Sequence, residues 1–259
     1  MQDPKDNRIF LKAQWRESAQ KSDQQKGVPR PAPEKPFAED ATLVDLVAPE
    51  KLTVGNMPLR QVIAKRQSWR RYTPDPLSLE ELSFLLWATQ GIRAVEQMSD
   101  GVTTRRTVPS GGARHAFETY LFISRVEAVA PGLYRYLPME HKLLLISNDN
   151  LAAKIGEAAC GQAFVGEGAV VFIWTVIPYR MEWRYTTRAH KVIAIDAGHL
   201  CQNLYLASEA IGAGTCAIGA YYQDEMDAIL GLDGEDEFVI YAARSEKSSV
   251  QRPLPWAAA

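Results

Sequence analysis

The longest helical pattern in the chain, residues 187–211, most constrains how it can fold. Apolar and small residues recur every three or four positions along one face of this pattern: Ile193, Ala197, Leu200, Leu204, Ala207 and Ile211. A helix of this length would extend about 37 Å at 1.5 Å per residue. Gly198, on the same segment, permits another backbone to approach closely. We therefore expect this helix to lie at the centre of a domain or of a dimer.

Shorter segments predict strands and further helices around it. Ser78 with Glu81 has the form of a capping box, which predicts a helix that begins there and ends at Gly91. The continuous apolar run at 169–177 predicts a strand buried on both faces. Other strands are predicted at 118–126, 132–136, 141–146 and 237–242, and other helices at 150–160 and 224–230. Strands and helices are mixed without regular βαβ alternation, so the sequence predicts an α+β domain.

Composition excludes several classes of protein. The chain has 259 residues, of which 46% are hydrophobic and 23% charged, as in soluble globular proteins. Its 29 Lys and Arg residues nearly balance 31 Asp and Glu residues, so charge gives no reason to expect nucleic-acid binding. The longest apolar stretch, 168–178, is too short to cross a membrane. With no apolar secretory segment after Met1, we expect a soluble, cytoplasmic protein.

Metal and disulfide chemistry are not predicted. Cys160, Cys201 and Cys216 have neither the even number nor the short spacing of a disulfide framework or a thiolate zinc site. Asp196 and His199 could share a face of the long helix, but no second histidine accompanies them. We therefore expect a packed or hydrogen-bonded histidine there, and no metal.

The first fifty residues differ from the remainder of the chain. Four prolines occur within residues 29–36, and repeated proline favours an extended path. We interpret residues 1–50 as an extended, Pro-rich N-terminal arm that either wraps a partner or is disordered. Its aromatic residues, Phe10, Trp15 and Phe37, favour wrapping. Residues 51–245 are interpreted as the main domain and 246–259 as a C-terminal tail.

A basic segment at residues 65–72 offers side chains that could hold a phosphate. Arg66 and Arg70 lie four residues apart, with Ser68 between them. Two planar guanidinium groups and a hydroxyl can converge on one phosphate, and each charge-assisted bond contributes roughly 1.5–3 kcal/mol. A solvated basic helix end is the alternative interpretation.

Two glycine-containing segments could bring their backbone close to a ligand. Residues 108–115 include Ser110 and two glycines, but not the G-x-S-x-G pattern of a nucleophile elbow, and an ordinary tight turn is the alternative. Residues 212–221 contain G-x-G without a third glycine and follow a helix, which argues against a Rossmann dinucleotide site. A helix C-cap with a loop is the alternative there.

Taken in order, these segments resemble the nitroreductase superfamily and, within it, the SagB-type dehydrogenases. The resemblance covers about residues 58–243 and depends on the ordered set, since no single motif is specific. The motifs are Arg-Gln-Ser-Trp-Arg at 66–70, Leu-Trp-Ala-Thr-Gln-Gly at 86–91, Pro-Ser-Gly-Gly-Ala-Arg-His at 109–115, Pro-Gly-Leu-Tyr-Arg-Tyr at 131–136, Ala-Gly-His-Leu-Cys-Gln-Asn-Leu at 197–204 and Gly-Thr-Cys-Ala-Ile-Gly-Ala-Tyr at 214–221.

The resemblance implies a fold, a cofactor and a partner. The fold would be an α+β sandwich with an antiparallel or mixed central sheet flanked by helices. The chain would bind FMN and form an intertwined homodimer, with flavin and the long central helix at the subunit interface.

It also implies where the flavin is held. Arg66, Ser68 and Arg70 would contact the FMN phosphate and ribityl chain, and Gln67 the ribityl chain or ring edge. Backbone at Gly219 and Ala220 would approach N5 and O4 of the flavin ring. A loop from the other subunit would line the flavin with Pro109, Ser110, Gly111 and Gly112. Lys247 and Arg252 are alternative candidates for a third phosphate contact.

The activity implied is two-electron, ping-pong transfer through flavin N5 to or from a small molecule, with NAD(P)H as one candidate donor. Family members that oxidise thiazolines or oxazolines in peptides use a Lys-Tyr pair to assist proton removal. Here Arg184 and Tyr185 are the nearest match, and arginine stays protonated, so it cannot act as a base. Arg184 could still lower the pKa of Tyr185. Azoline oxidation and non-catalytic flavin storage are the alternatives.

Overall fold

A computed structural model of the chain describes residues 3, 5–12 and 20–248. Its strands are β1 (Leu43–Asp45), β2 (Ile92–Met98), β3 (Gly101–Arg106), β4 (Phe117–Ile123), β5 (Gly132–Leu137), β6 (Lys142–Ser147), β7 (Val170–Val176), β8 (Ala213–Ile218) and β9 (Phe238–Lys247). Its helices are α1 (Leu59–Lys65), α2 (Leu79–Gln90), α3 (Ala152–Ala158), α4 (Ala163–Gly166), α5 (Tyr179–Tyr185), α6 (Ala189–Ala210) and α7 (Gln223–Leu230).

Seven of the described strands form one antiparallel sheet in the order β1-β6-β5-β4-β7-β9-β8. β7 lies between β4 and β9, and every one of its residues is buried. The predicted buried strand at 169–177 is thereby confirmed, and so is the α+β class. The separate β2–β3 hairpin was not predicted, nor were α1 and α5.

Helices cover both faces of the sheet. Successive residues of β7 point to opposite faces, so Phe172 and Trp174 join the core beneath α2 and α6, while Val171 and Ile173 join the core beneath α3 and α7. Burying one such large side chain contributes about 1.5–3 kcal/mol. Because both faces of β7 are buried, both sets of alternating side chains are largely apolar, and the strand is a continuous apolar run in the sequence. None of the described helices combines the length and hydropathy needed to cross a bilayer.

The long helix α6 has 22 residues and lies within the predicted segment. A 3₁₀ turn, Thr186–Arg188, precedes it, so α6 begins two residues later than predicted. Five residues of the predicted apolar stripe are buried, Ile193, Ala197, Leu200, Leu204 and Ala207. The sixth, Ile211, is the C-cap and is half-buried.

The opposite face of α6 is open in this chain. Ile195 is 48% exposed, and a Cβ added to Gly198 would meet nothing within 4 Å. An exposed large apolar side chain beside an exposed glycine leaves a helix surface onto which a second helix could pack closely.

The predicted capping box begins α2. The Ser78 hydroxyl accepts from the Glu81 backbone N–H at 3.1 Å, and the Glu81 carboxylate accepts from the Ser78 N–H at 2.8 Å. This reciprocal pair satisfies two donors that the helix itself cannot satisfy. Gly91 is the C-cap, as predicted.

The N-terminal segment, residues 20–42, lies against its own chain. The Trp183 indole N–H donates to the Val28 carbonyl at 2.9 Å, and Arg106 donates to the Pro33 carbonyl at 2.8 Å. β1 follows this segment and pairs with β6 in the main sheet. The described part of the N-terminal arm thus contacts its own chain. At the other end, β9 extends to Lys247. The predicted domain boundaries at residues 50 and 245 stay a prediction.

Buried charges fix the segment to the sheet. The Lys35 ammonium pairs with Glu237, and the Lys35 backbone N–H donates to Glu118 at 3.0 Å. Arg180 donates to the same Glu118 carboxylate at 2.6 Å. Because Glu118 and Arg180 are almost fully buried, removal of either partner would leave an uncompensated charge.

One carboxyl of this segment has a strongly altered titration. Glu34 accepts from the Met139 N–H at 3.1 Å. Burial raises the pKa of Glu34 from its usual 4.5 to about 7, and the charges of Glu140 and Glu118 add to the effect. The folded chain therefore holds a proton on Glu34 at pH values where the unfolded chain has released it.

This predicts a pH dependence of stability. As pH rises from about 4.5 to about 7, the unfolded state releases the Glu34 proton first, so the free energy of unfolding falls through this group. Glu34→Gln removes that contribution, and the variant should gain stability relative to the parent as pH rises. Urea unfolding at pH 5 and pH 7.5 measures the difference. Glu39→Gln, an exposed glutamate of the same segment, is the control; parallel pH profiles for Glu34→Gln and the parent would contradict the prediction.

Candidate functional site

The predicted phosphate-binding segment follows α1 and runs beside β8. Ser68 forms a parallel bridge with Thr215, and the Trp69 N–H donates to the Thr215 carbonyl at 3.0 Å. Trp69 is buried against Gly214, where an added Cβ would lie 2.4 Å from the indole ring. The missing side chain at Gly214 thus lets Trp69 anchor the segment to the sheet.

Ser68 and Arg70 are exposed, whereas Arg66 and Gln67 are half-buried. The Arg66 guanidinium lies 5.3 Å from the centre of the Tyr205 ring, and the Ser68 and Tyr205 hydroxyls are 2.8 Å apart. Tyr205 also accepts from the Ala217 N–H at 2.9 Å. Tyr205 therefore connects the segment, α6 and β8, a role that sequence reasoning missed.

The charge around this segment is positive. The ion pairs recorded for residues 20–248 include neither Arg66 nor Arg70. Burial raises the pKa of Glu209, although Trp69, Lys65 and Arg66 act to lower it. Two guanidinium groups and a neighbouring hydroxyl, with Glu209 nearby but no carboxylate of residues 20–248 within ion-pair distance, suit an anion such as phosphate.

Gly219 and Ala220 follow β8 directly and are exposed. A Cβ added to Gly219 would meet only Tyr241, at 4.0 Å, so the backbone there is accessible from one side. Gly219 lies four positions after Thr215 along an extended backbone, which places the two residues about 13 Å apart at 3.3 Å per residue. β8 and its continuation thus join the arginine segment to the predicted flavin-ring contacts.

The loop at 109–112 is tied to the N-terminal half of α6. The Gly111 N–H donates to the Asp196 carboxylate at 3.0 Å, and the Ser110 hydroxyl accepts from the His115 N–H at 2.9 Å. Burial raises the pKa of Asp196, while its bonds to Ser110 and Gly111 act to lower it. Sequence reasoning considered Asp196 only as a metal ligand; its hydrogen-bond partner is the loop. His199, expected to be packed or hydrogen-bonded, is exposed, with Nδ1 3.9 Å from the Asp196 carboxylate. Among the described residues, no group of three or more His, Cys, Asp or Glu side chains could hold a metal.

The same loop contacts the predicted catalytic pair. Gly112 has a left-handed φ of 60°, and an added Cβ would lie 2.6 Å from the Tyr185 hydroxyl and 3.1 Å from Arg184. The Arg184 guanidinium is 5.5 Å from the centre of the Tyr185 ring. Glycine is therefore required at 112 by both backbone conformation and space.

A cavity of about 600 Å³ opens beside this loop. Its lining residues are Arg30, Arg93, Met98, Thr103, Arg105, Arg106, Thr107, Val108, Pro109, Ser110, Gly112, Ala113, His115 and Arg184. The predicted loop and Arg184 thus face a space of the size that small molecules occupy.

The structure forms two groups rather than one site. Arg66, Ser68 and Arg70 lie near the β8 end, and the 109–112 loop lies near Arg184 and Tyr185. The anchors of the two groups on α6, Tyr205 and Asp196, are nine residues apart, about 13 Å along the helix axis. Among the described residues, the cavity beside the loop is lined by none of Arg66, Ser68 and Arg70.

Two residues, Lys247 and Arg252, were the alternative candidates for a third phosphate contact. The Lys247 ammonium pairs with the capping-box carboxylate of Glu81, so in this structure it serves the start of α2. Arg252 lies outside the described residues.

Comparison with known proteins identifies the class. The Nitroreductase family model matches residues 63–244, which include both groups of predicted site residues. The chain belongs to the nitroreductase family.

Individual relatives agree with this assignment. The chain is 32% identical to "Putative nitroreductase MJ1384" of Methanocaldococcus jannaschii over 69% of its own length and 87% of that protein. It is 28% identical to the trifolitoxin-processing protein TfxB of Rhizobium leguminosarum bv. trifolii, over 62% of this chain and 44% of TfxB. The crystal structure of a "putative nitroreductase" from Ralstonia eutropha JMP134 superposes with a TM-score of 0.66 at 27% identity, covering 86% of this chain and 96% of that one.

Proposed function

We propose that this chain is an FMN-dependent oxidoreductase that carries out two-electron, ping-pong transfer. The observation that supports this most is the arginine segment at 66–70, which lies beside β8 within the region matched by the family. The segment offers two guanidinium groups and one hydroxyl, which is the donor set that a phosphate monoester requires.

The residues present fit FMN at both ends of the molecule. Arg66 and Arg70 would bind the phosphate, with the Ser68 hydroxyl oriented by Tyr205. The exposed backbone at Gly219 and Ala220 would donate hydrogen bonds to the ring edge and orient it. A Cβ added at Gly219 would meet only Tyr241, at 4.0 Å, so the backbone there is open to close approach.

When bound, FMN would supply the redox chemistry at N5, accepting two electrons from a donor such as NAD(P)H and passing them to a second small molecule. The chain's own residues would bind the phosphate, orient the ring and place positive charge near it. Positive charge favours a negatively charged reduced form.

A homodimer would complete the site. The loop at 109–112 is predicted to line the flavin, yet it lies near Asp196, away from the arginine segment near Tyr205. A second copy packed on the open face of α6 would bring its own loop to the first copy's arginine segment. The exposed Ile195 and the unobstructed Gly198 support this surface as the contact.

FMN retention tests the proposal. Purified protein loaded with excess FMN should keep it through desalting, and Arg66→Gln combined with Arg70→Gln should weaken binding by tenfold or more, since each charge-assisted bond contributes about 1.5–3 kcal/mol. Absorbance of the retained flavin measures the result. Arg60→Gln, on α1 just before the segment but outside the predicted set, is the control. If the unaltered protein loses FMN completely, the proposal is wrong.

The dimer makes a separate prediction. Gly198→Leu should leave the folded subunit intact, because Gly198 is exposed and a Cβ there meets nothing within 4 Å, but should weaken the dimer by filling its contact surface. Light scattering coupled to size-exclusion chromatography reports the change in mass. Ala153→Leu, which enlarges a small, exposed residue on α3 instead of α6, should stay dimeric. An unchanged mass for Gly198→Leu would remove this face from the interface.

The similarity to the trifolitoxin-processing protein favours a second candidate, dehydrogenation of azoline rings in a peptide. In that case Tyr185, with its hydroxyl beside Gly112 and its ring beneath Arg184, would take part in proton removal. A flavin-storage protein would use the same flavin contacts without needing Tyr185.

Tyr185→Phe distinguishes these functions. It should abolish turnover of an azoline peptide while leaving bound FMN unchanged, because only the hydroxyl is lost. Loss of product is followed by mass spectrometry, and flavin content by absorbance. Bound flavin that neither NADPH, NADH nor an azoline peptide reduces would instead favour storage, and full azoline turnover by Tyr185→Phe would exclude the tyrosine from proton transfer.

A further inference from the structure

Arginine side chains from three parts of the chain converge on the cavity beside the 109–112 loop. The lining arginines are Arg30 from the N-terminal segment, Arg93, Arg105 and Arg106 from the β2–β3 hairpin, and Arg184 from α5. No aspartate or glutamate occurs among the described residues that line this cavity. Its volume of about 600 Å³ lies within the range of small-molecule sites.

Two of these arginines are neutralised by carboxylates. Arg30 holds Asp100 in a two-point contact, at 2.9 and 3.1 Å. Arg105 holds Glu96 in the same way, at 3.0 and 3.1 Å. Their charges are therefore largely balanced inside the protein.

The charges of the other three arginines, Arg93, Arg106 and Arg184, are not paired with a carboxylate in this way. The ion pairs of residues 20–248 include none for Arg93, Arg106 or Arg184. The buried Arg106 donates to neutral oxygens, the Gln90 amide at 2.9 Å and the Pro33 carbonyl. Burial lowers the pKa of Arg106 to about 10, which leaves it charged at neutral pH.

The remaining two are exposed and come from different elements, Arg93 from β2 and Arg184 from α5. Arg93 donates through Nε to the Arg106 carbonyl at 3.1 Å, which fixes its stem, and Arg184 lies over the Tyr185 ring. Arginines gathered without carboxylates repel one another, and an anion with several oxygens relieves that repulsion while it accepts their hydrogen bonds.

The neighbouring histidine is consistent with a positive environment. Burial, with the charges of Arg106 and Arg114, lowers the pKa of His115 to about 3. His115 is thus neutral at physiological pH, and the positive charge of the cavity comes from its arginines.

We propose that this cavity binds an oxyanion group, phosphate or carboxylate, of the small-molecule substrate that exchanges electrons with the flavin. This proposal rests on the proposed function, since the bound molecule is a substrate only if the chain is a flavin enzyme. The two sites are linked because Ser110 and Gly112 line the cavity and also belong to the loop predicted to line the flavin. Arg93 and Arg184 are the residues that would bind the anion and thereby orient the reacting part of the molecule, while the buried Arg106, whose guanidinium is held by Thr104, Gln90 and Pro33, would add positive charge to the cavity wall.

Isothermal titration of FMN-loaded protein with pyrophosphate and, separately, with citrate tests this at low ionic strength. At least one probe should bind, and binding should weaken as salt is added. Arg93→Gln combined with Arg184→Gln should weaken it by tenfold or more, because two charge-assisted contacts are lost. Lys142→Gln, which removes a cation from β6 away from the cavity, should bind as the unaltered protein does. Binding of pyrophosphate alone identifies a phosphorylated substrate, and binding of citrate alone a carboxylate.

The outcomes separate this proposal from the proposed function. Binding by neither probe, or equal binding by the double variant, overturns the anion site even if FMN is retained. Binding by FMN-free protein that disappears on loading with FMN also overturns it, because the cavity would then hold the flavin phosphate. A protein that fails to retain FMN but binds a probe through Arg93 and Arg184 retains the anion site and loses the oxidoreductase assignment.

Discussion

The packing of α6 onto the sheet is the interaction on which the rest of the structure depends. One stripe of the helix is buried against the strands, and this burial fixes which residues its other faces present. Asp196 then holds the Gly111 backbone near one end of the helix, and Tyr205 holds Ser68 nearer the other. Because a helix is rigid over this distance, both predicted flavin-binding segments are positioned by the same hydrophobic contact.

The N-terminal segment connects stability to the cavity. Lys35 of this segment binds Glu118 through its backbone N–H and Glu237 through its ammonium group. Arg30 of the same segment lines the arginine-rich cavity. Its Pro33 carbonyl accepts from Arg106, so one buried cation serves both the segment and the cavity wall. Charges buried in this way cost desolvation energy and are tolerated only with partners, which explains why a polar segment is held so closely to its own domain.

Glycines and loops show how far sequence reasoning reached. Glycine at 112 suggested close approach of a ligand, but the structure places Tyr185 and Arg184 of the same chain there. Sequence reasoning did not single out Gly214, which makes room for the Trp69 ring. The β2–β3 hairpin was missed because its first strand is mostly exposed and carries little apolar alternation, although a two-residue turn, Ser99 and Asp100, joins the paired residues Met98 and Gly101. The hairpin supplies three of the cavity's five arginines, so missing it also concealed the cavity.

The sequence by itself determined the elements whose signals are local. The apolar period of α6, the capping box of α2 and the continuous apolar run of β7 each follow from residues a few positions apart. The family could also be recognised, because its motifs keep their order along the chain. Only the tertiary structure decided that Asp196 anchors a loop, that Tyr205 meets Ser68, and that arginines from distant segments face one cavity. These contacts join residues far apart in sequence, and they depend on how helices and strands pack, which no local pattern specifies.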